Sequence, residues 1–538
     1  MPTIPEPSRT SYGLALILHA HLPYVRHPEH EDFLEERWLF EAITESYLPL
    51  LERLNRLCDE RVPFRLTISF TPTLLAMLSD PLLQGRYLKY LEGLIEFTQR
   101  EIQRTRWQPA FQRLALFYHH RLTQARQLYE ESYHRDLIRP FGQMSRRGCV
   151  ELMASCATHG FLPLMDVQPV AVYAQIRVGL QAFERAFGHR PSGIWLPECG
   201  YAPGYEALLE AQGIRYFVTD AHAILFGSPR PRFGVYAPIQ CPNGVLAFGR
   251  DLASSKNVWS AQEGYPGHVD YREFYRDAGY ELEQDYLRSC LSTDGMRAST
   301  GIKYYRITGK TEDKQPYDPD RALEQAAVHA EEFLTQRQKQ GISLNRRLAR
   351  MPIIVSPFDA ELFGHWWFEG PDWLELVIRK AQHDSGLSLM TLSDCEAMKQ
   401  PLQAMQPCMS SWGSGGYHEV WLNGSNDWIY RHLHKMVERM RQLADVHSRA
   451  EGWQARALNQ MARELLLAQS SDWAFILKAQ THTTYAYQRI HQHVAQFTRL
   501  YECLQANRVD ESWLATIEAK DNLFPFLDYR IYASSPPA

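Results

Sequence analysis

Much is missing from this 538-residue chain, and each absence removes a class of function. None of its nine cysteines forms a C-x-x-C pair. A thiolate zinc site and a disulfide framework are therefore not expected, and reduced thiols in a cytoplasmic compartment are. No run reaches the ~18 apolar residues of a membrane span, and the opening Met1-Pro-Thr-Ile-Pro-Glu-Pro-Ser8 lacks a basic segment followed by an apolar one. Positive charge is not in excess: 57 Lys and Arg stand against 62 Asp and Glu, a net charge of −5. That balance argues against a nucleic-acid partner. Repeats and low-complexity tracts are absent too. The expectation is a soluble cytoplasmic protein, a monomer or weak homo-oligomer, with no nucleic-acid or membrane partner.

What remains is a globular composition rich in rings. Hydrophobic residues make up 45% and charged residues 22%, so disorder is not expected. The length suffices for two or three domains, although a barrel can use much of it as one unit. Aromatics reach 12%, with 13 Trp. Large cores use such residues, and so do proteins that stack sugars on ring faces.

Short apolar runs alternate with helical patterns. Gly13–Leu18, Phe64–Phe70, Cys149–Ser155, Gly193–Leu196, Tyr216–Val218 and Met351–Val355 read as buried strands. Helices are expected near 34–59, 168–187 and 205–212. This alternation predicts a parallel sheet or barrel. Residues 82–145 are strongly helical and too long for one crossover, which suggests an inserted helical module. Past Pro401 and the Gly-rich Ser410–Gly416 loop, apolar residues recur at helical spacing to about Ala506, as in a helical bundle. The expected division is 1–400 for the sheet with its insert and 401–538 for a C-terminal helical domain, ending in a frayed Ser534–Ala538.

Polar residues cluster where the strands end. His19, His21, His159, Glu198, Asp220, His222 and Asp359 all stand just past predicted strand C-termini. In parallel barrels, catalytic groups converge on that rim. Singly, each is a strand-capping polar group; together they favour a shared site. The densest stretch is Ser356–Trp373, which sets Asp359, Glu361, His365, Glu369 and Asp372 among Phe358, Phe363, Trp366, Trp367, Phe368 and Trp373. Two carboxylates from different strands, Glu198 and Asp359, could flank a glycosidic bond as nucleophile and acid/base. His19-x-His21 places two imidazoles on one face of a strand. They could bind zinc with His159, or hydrogen-bond sugar hydroxyls and orient the carboxylates. Without a Cys ligand pattern or H-E-x-x-H, a metal-free site with no cofactor is the expectation.

Five ordered segments carry a family resemblance: His19-Ala-His-Leu-Pro23, Ala157-Thr-His-Gly-Phe-Leu-Pro163, Trp195-Leu-Pro-Glu-Cys-Gly200, Phe358–Gly370 and the segment holding Trp412 and Trp421. Together they resemble glycoside hydrolase family 57, and within it the 1,4-α-glucan branching enzymes. The similarity runs over most of the chain and includes Ser471-Asp-Trp473. The first motif, with Leu22 where Gln often stands between His and Pro, is the variant typical of the branching group. The resemblance implies an α/β fold, an incomplete (β/α)7 barrel with an inserted helical module and a C-terminal α-helical domain that helps wall the cleft. It implies a retaining mechanism with Glu198 as nucleophile and Asp359 as acid/base, no metal, and an α-glucan such as amylose, amylopectin or glycogen as substrate. Trp412 and Trp421 match residues that line the glucan site.

Further substrate contacts are expected from Trp366 and from His19, His21, His159, Asp220 and His222. Arg250 is expected to pair with Asp251, with a sugar contact as the lesser role. A loop carrying a tyrosine covers the site in similar enzymes, and the candidates here are Tyr236 and Tyr265. Loop-like segments at 249–267 and 413–416 could shield an intermediate from water. The rivals are a 4-α-glucanotransferase or α-amylase-like hydrolase of the same family, a metal-dependent polysaccharide deacetylase and a non-catalytic glucan-binding protein.

Overall fold

A computed structural model describes residues 11–260, 263–288, 295–398 and 400–535. Seven parallel strands form one sheet: β1 (Tyr12–Ala20), β2 (Leu66–Phe70), β3 (Val150–Ser155), β4 (Gly193–Trp195), β5 (Tyr216–Thr219), β6 (Leu246–Gly249) and β7 (Ile353–Asp359). Their spatial order is β6-β5-β4-β3-β2-β1-β7. Short strands at Ile239–Gln240, Gln403–Ala404 and Leu387–Leu389 add to it, the first antiparallel to β6. No ladder joins β6 to β7 among the described residues. They are bridged by the Asp251 N–H, which donates to the Val355 carbonyl at 2.8 Å. The barrel is thus the incomplete (β/α)7 form.

Every residue of β1 is buried, as expected for a parallel strand covered on both faces. The sequence marks β1 to β5 within two residues, but β7 runs four residues beyond Val355, so Asp359 closes the strand. β6 was not anticipated, because its four-residue run is too short to stand out.

The module after β2 contains α1 (Pro81–Arg104) and α2 (Pro109–Gln127). Asp80 caps α1 by accepting from the N–H groups of Leu82 and Leu83 at 2.9 and 3.1 Å, and Pro81 occupies the first turn. α3 (Pro169–Phe187) follows β3. Its Gly179 packs so closely on Ser155 that a Cβ would overlap the Ser155 carbonyl, which seats the helix against the end of β3.

α4 (Leu252–Trp259) follows β6, and α5 (Pro319–Leu348), a 30-residue helix missing from the expected elements, leads to β7. α6 (Gly370–Ala381) packs against α5 beyond the Asp359 loop.

The C-terminal helices are α7 (Trp428–Val446), α8 (Gly452–Ala468), α9 (Ser471–Ala479), α10 (Thr483–Gln505) and α11 (Glu511–Lys520). They begin at Trp428, since Gln403–Ala404 still belongs to the sheet edge. A buried polar knot ties the bundle: His493 Nδ1 meets Glu464 at 2.6 Å and Arg489 meets Asp521 at 3.2 Å. The bundle docks on the rim of the sheet. Ser471 N–H donates to the His159 carbonyl at 3.1 Å, and Gln175 Nε2 donates to Gln469 Oε1 at 3.0 Å. No described helix is long and apolar enough to cross a membrane.

Candidate active site

The C-terminal ends of β1, β3, β4 and β7 deliver one cluster. His19 pairs in register with Asp359 on β7 and with Ser69 on β2. In the buried stretches 193–200 and 351–360, Glu198 and Asp359 are both half-buried, so each reaches the cleft from an otherwise closed wall. Two rim residues hold left-handed backbone, His159 at φ 56° and Glu198 at φ 59°. For a residue with a Cβ that conformation costs on the order of 1–3 kcal/mol and is found where geometry matters to function.

Glu198 is gripped from the C-terminal part of the chain. The Trp412 indole N–H donates to Oε2 at 2.6 Å, and the Ser471 hydroxyl donates to Oε1 at 2.9 Å. The Trp412 backbone N–H donates in addition to the Glu198 carbonyl at 2.9 Å. Burial raises the pKa of Glu198, opposed by the Trp412 and Ser471 hydrogen bonds and by the charge of His21.

Asp359 has no hydrogen-bond donor among the described residues. Burial, then the neighbouring carboxyls of Glu361 and Glu198, push its pKa well above the usual carboxylate range. Glu361 is itself buried and fixed. It accepts from the His21 N–H at 3.1 Å and from the Tyr47 hydroxyl.

The three histidines lie as a stack of near-parallel rings. His21 and His159 centroids are 3.8 Å apart at 23°, and His19 and His159 are 5.0 Å apart at 24°. Trp195 covers the other side of His19 at 4.7 Å. Every ring nitrogen has a protein partner. His19 Nδ1 meets Ser69 at 3.3 Å, His19 Nε2 meets His159 Nε2 at 3.0 Å, and His159 Nδ1 meets Ser471 Oγ at 2.9 Å. His21 meets Thr71 at 3.2 Å and Asp472 at 3.1 Å.

The donor inventory orders this chain. Ser471 gives its proton to Glu198 and so accepts from His159 Nδ1–H, which leaves His159 Nε2 to accept from His19 Nε2–H. Burial, with the charge of His21 nearby, keeps both His19 and His159 neutral. His21 differs. Burial opposes its charge, but Asp472 outweighs burial and raises its pKa. Asp472 is brought down to about 2, where burial alone would raise it, chiefly by His21. The stack of imidazoles is fully partnered within the protein, and through Ser471 it reaches Glu198. It does not converge lone pairs on a common point, as a zinc site requires.

Asp220 and His222 form a second group on the rim. His222 Nδ1 meets Asp220 at 3.3 Å and its Nε2 donates to the Gly416 carbonyl at 2.7 Å. Two ring donors need the protonated form, and the His222 pKa is raised, first by its hydrogen bond to Asp220. Arg250 pairs with this Asp220 and not, as expected, with Asp251. The Asp251 carboxylate is taken by the Ser254 N–H of α4 at 2.7 Å and by Gln340 at 2.8 Å. The Arg250 guanidinium lies 5.9 Å over Trp412.

The remaining expected contacts divide. Trp366 is 55% exposed and rests one face on Phe274 at 4.5 Å, while Trp367 is turned into the core. Trp412 lines the site beside Trp195 and Trp259. Trp421 is buried: it stacks on Phe161 at 4.6 Å and backs Gly413, so it supports the loop and offers no open face to a sugar.

Neither candidate tyrosine covers the cleft. The Tyr236 carbonyl accepts from Ile353 N–H at the opposite end of β7, and Tyr265 is buried against His329 at 4.5 Å under α5. His365, Glu369 and Asp372 turn to Glu45, Tyr317 and Arg53 at 2.7, 2.7 and 2.8 Å. Residues to which sequence reasoning assigned no role stand closer. These are Ser471, Asp472 and Tyr417, an exposed tyrosine after three left-handed glycines whose ring edge meets His222 at 4.9 Å.

A family model described as glycosyl hydrolase family 57 matches residues 15–407. The chain belongs to this family. A second model, described as the 1,4-alpha-glucan branching enzyme C-terminal region, matches residues 432–532. The family 57 chain is 31% identical to a 1,4-alpha-glucan branching enzyme of Thermococcus kodakarensis, over 97% of this chain and 79% of that one. Among solved structures it resembles the alpha-amylase AmyC of Thermotoga maritima, with 43% identity, a TM-score of 0.92 and coverage of 98% and 99%. It also resembles the family 57 branching enzyme of Pyrococcus horikoshii, with 32% identity, a TM-score of 0.88 and 98% of each chain covered.

Proposed function

We propose that this family 57 protein is a 1,4-alpha-glucan branching enzyme that works by retention, with Glu198 as nucleophile and Asp359 as acid/base. The supporting observation is the contrast between the two carboxyls. Glu198 receives two donors that favour its anion, whereas Asp359 has none among the described residues and faces two other carboxyls. Environments that push two such pKa values apart assign a base-like and an acid-like role.

In the proposed cycle an α-1,4-glucan lies across the rim against Trp412 and Trp366. Asp359 gives its proton to the glycosidic oxygen as Glu198 attacks C1, and the bond to the leaving chain breaks. Asp359, now ionised, takes the proton of an acceptor 6-hydroxyl, which displaces Glu198 and forms an α-1,6 bond. His21, Arg250 and His222 supply positive charge on the rim, and neutral His19 and His159 hold Ser471 against the nucleophile. The ligand is an α-glucan polymer. The cytoplasm is the proposed location.

The second reading is net hydrolysis, favoured by the 43% identity to AmyC. The first half-reaction is shared, and water takes the place of the acceptor in the second. Incubation with amylose, followed by enzymatic debranching and chain counting, separates them. New α-1,6 linkages mean branching. Reducing ends without new linkages mean hydrolysis.

A further inference from the structure

The helix that supplies Ser471 and Asp472 continues beyond the reaction centre. From Ser471 to Leu477, α9 has one residue open to solvent, Phe475 at 50% exposure. Its core side is filled by Trp473, Ala474, Ile476 and Leu477, so packing does not call for a ring on the outer face.

Residues three and four apart share a helix face. Ser471 reaches Glu198 and Asp472 reaches His21, so that face looks into the cleft. Phe475 therefore stands one turn, about 5.4 Å, farther along the same wall. Lys478, also exposed, follows on the same face. The chain then bends through left-handed Gln480 and His482, and the exposed His482 ring meets Trp38 edge-on at 5.1 Å.

We propose that Phe475, with Lys478 beside it, forms a glucan subsite next to the reaction centre. The ring stacks on the apolar face of a glucose unit of the chain held at Glu198, and the Lys478 amine donates to one of its hydroxyls. The subsite sets how strongly longer chains are preferred. It rests on the α-glucan reading of the site.

The test is calorimetric titration of maltoheptaose into the full-length chain carrying Glu198→Gln, which removes turnover. Adding Phe475→Ala weakens binding roughly 3- to 10-fold, the scale of one aromatic contact, and Phe475→Trp restores it. In the turnover-competent chain, Phe475→Ala raises KM for maltoheptaose more than for maltotriose and leaves kcat near its original value. Unchanged binding in Phe475→Ala overturns the inference, as does equal weakening by Ala and Trp, which marks a packing role. Absence of any maltoheptaose binding to the Glu198→Gln chain overturns the α-glucan reading, and the subsite with it.

Discussion

The Ser471 hydroxyl donates to Glu198 Oε1 at 2.9 Å, so a helix of the C-terminal bundle holds the carboxylate that the barrel presents. The same serine accepts from His159, whose other nitrogen meets His19. One hydrogen-bonded line thus runs from β1 through the β3 end and the bundle to Glu198. Bundle and barrel make the site jointly. With Glu198 as the proposed nucleophile, the docking contacts at His159 and Gln469 belong to the catalytic geometry as much as to the fold.

Removing either donor should weaken catalysis and move its pH dependence. Trp412→Phe and Ser471→Ala each delete a hydrogen bond to the Glu198 carboxylate. The expected loss in kcat is roughly 10- to 100-fold for a charge-assisted bond. Both bonds lower the Glu198 pKa, so the acid limb of the pH–rate profile shifts to higher pH in each variant. A profile that falls in height without moving would show that these donors do not act through Glu198 ionisation.

In the proposed cycle Asp359 governs the alkaline limb. Its proton is needed for the first step, and its pKa is raised by burial and then by Glu361 and Glu198. Glu361→Gln removes one of those negative neighbours and should bring the alkaline limb to lower pH. Asp359→Asn should cut turnover by about 10²- to 10⁴-fold. The stability effect has the opposite sign. A carboxyl whose folded pKa exceeds its unfolded one contributes stability that is full below the unfolded value and lost as pH rises through the folded value. At neutral pH the asparagine variant should therefore melt at a higher temperature, by calorimetry, than the parent chain.

Chelation tests the histidine stack. With all six ring nitrogens of His19, His21 and His159 partnered within the protein, dialysis against EDTA should leave activity unchanged. Loss of activity that added zinc restores would return these histidines to a ligand role.

The sequence showed this site best where an apolar run broke into polar residues. His19, His159, Glu198, Asp220 and Asp359 each stand at or just beyond the end of a buried strand, and the strands bring them to one rim. It showed least where a role depends on distant packing. Ser471 and Asp472 open an ordinary-looking helix and touch the site only because the bundle docks there. Tyr236 and Tyr265 lie in Gly- and Pro-containing segments that read as loops, yet one belongs to the far end of β7 and the other is enclosed under α5. Trp421 matched a family position, but Phe161 and the Gly413 loop enclose its ring.

The most direct test of the central claim is to identify the residue that becomes glycosylated. α-Maltosyl fluoride carries a leaving group that needs no acid, so the Asp359→Asn variant should complete the first step and stall before the second. Peptide mass spectrometry after brief exposure should then find a maltosyl ester on Glu198 and on no other carboxylate. An adduct on a different residue, or sustained turnover of amylose by the Glu198→Gln variant, would contradict the account.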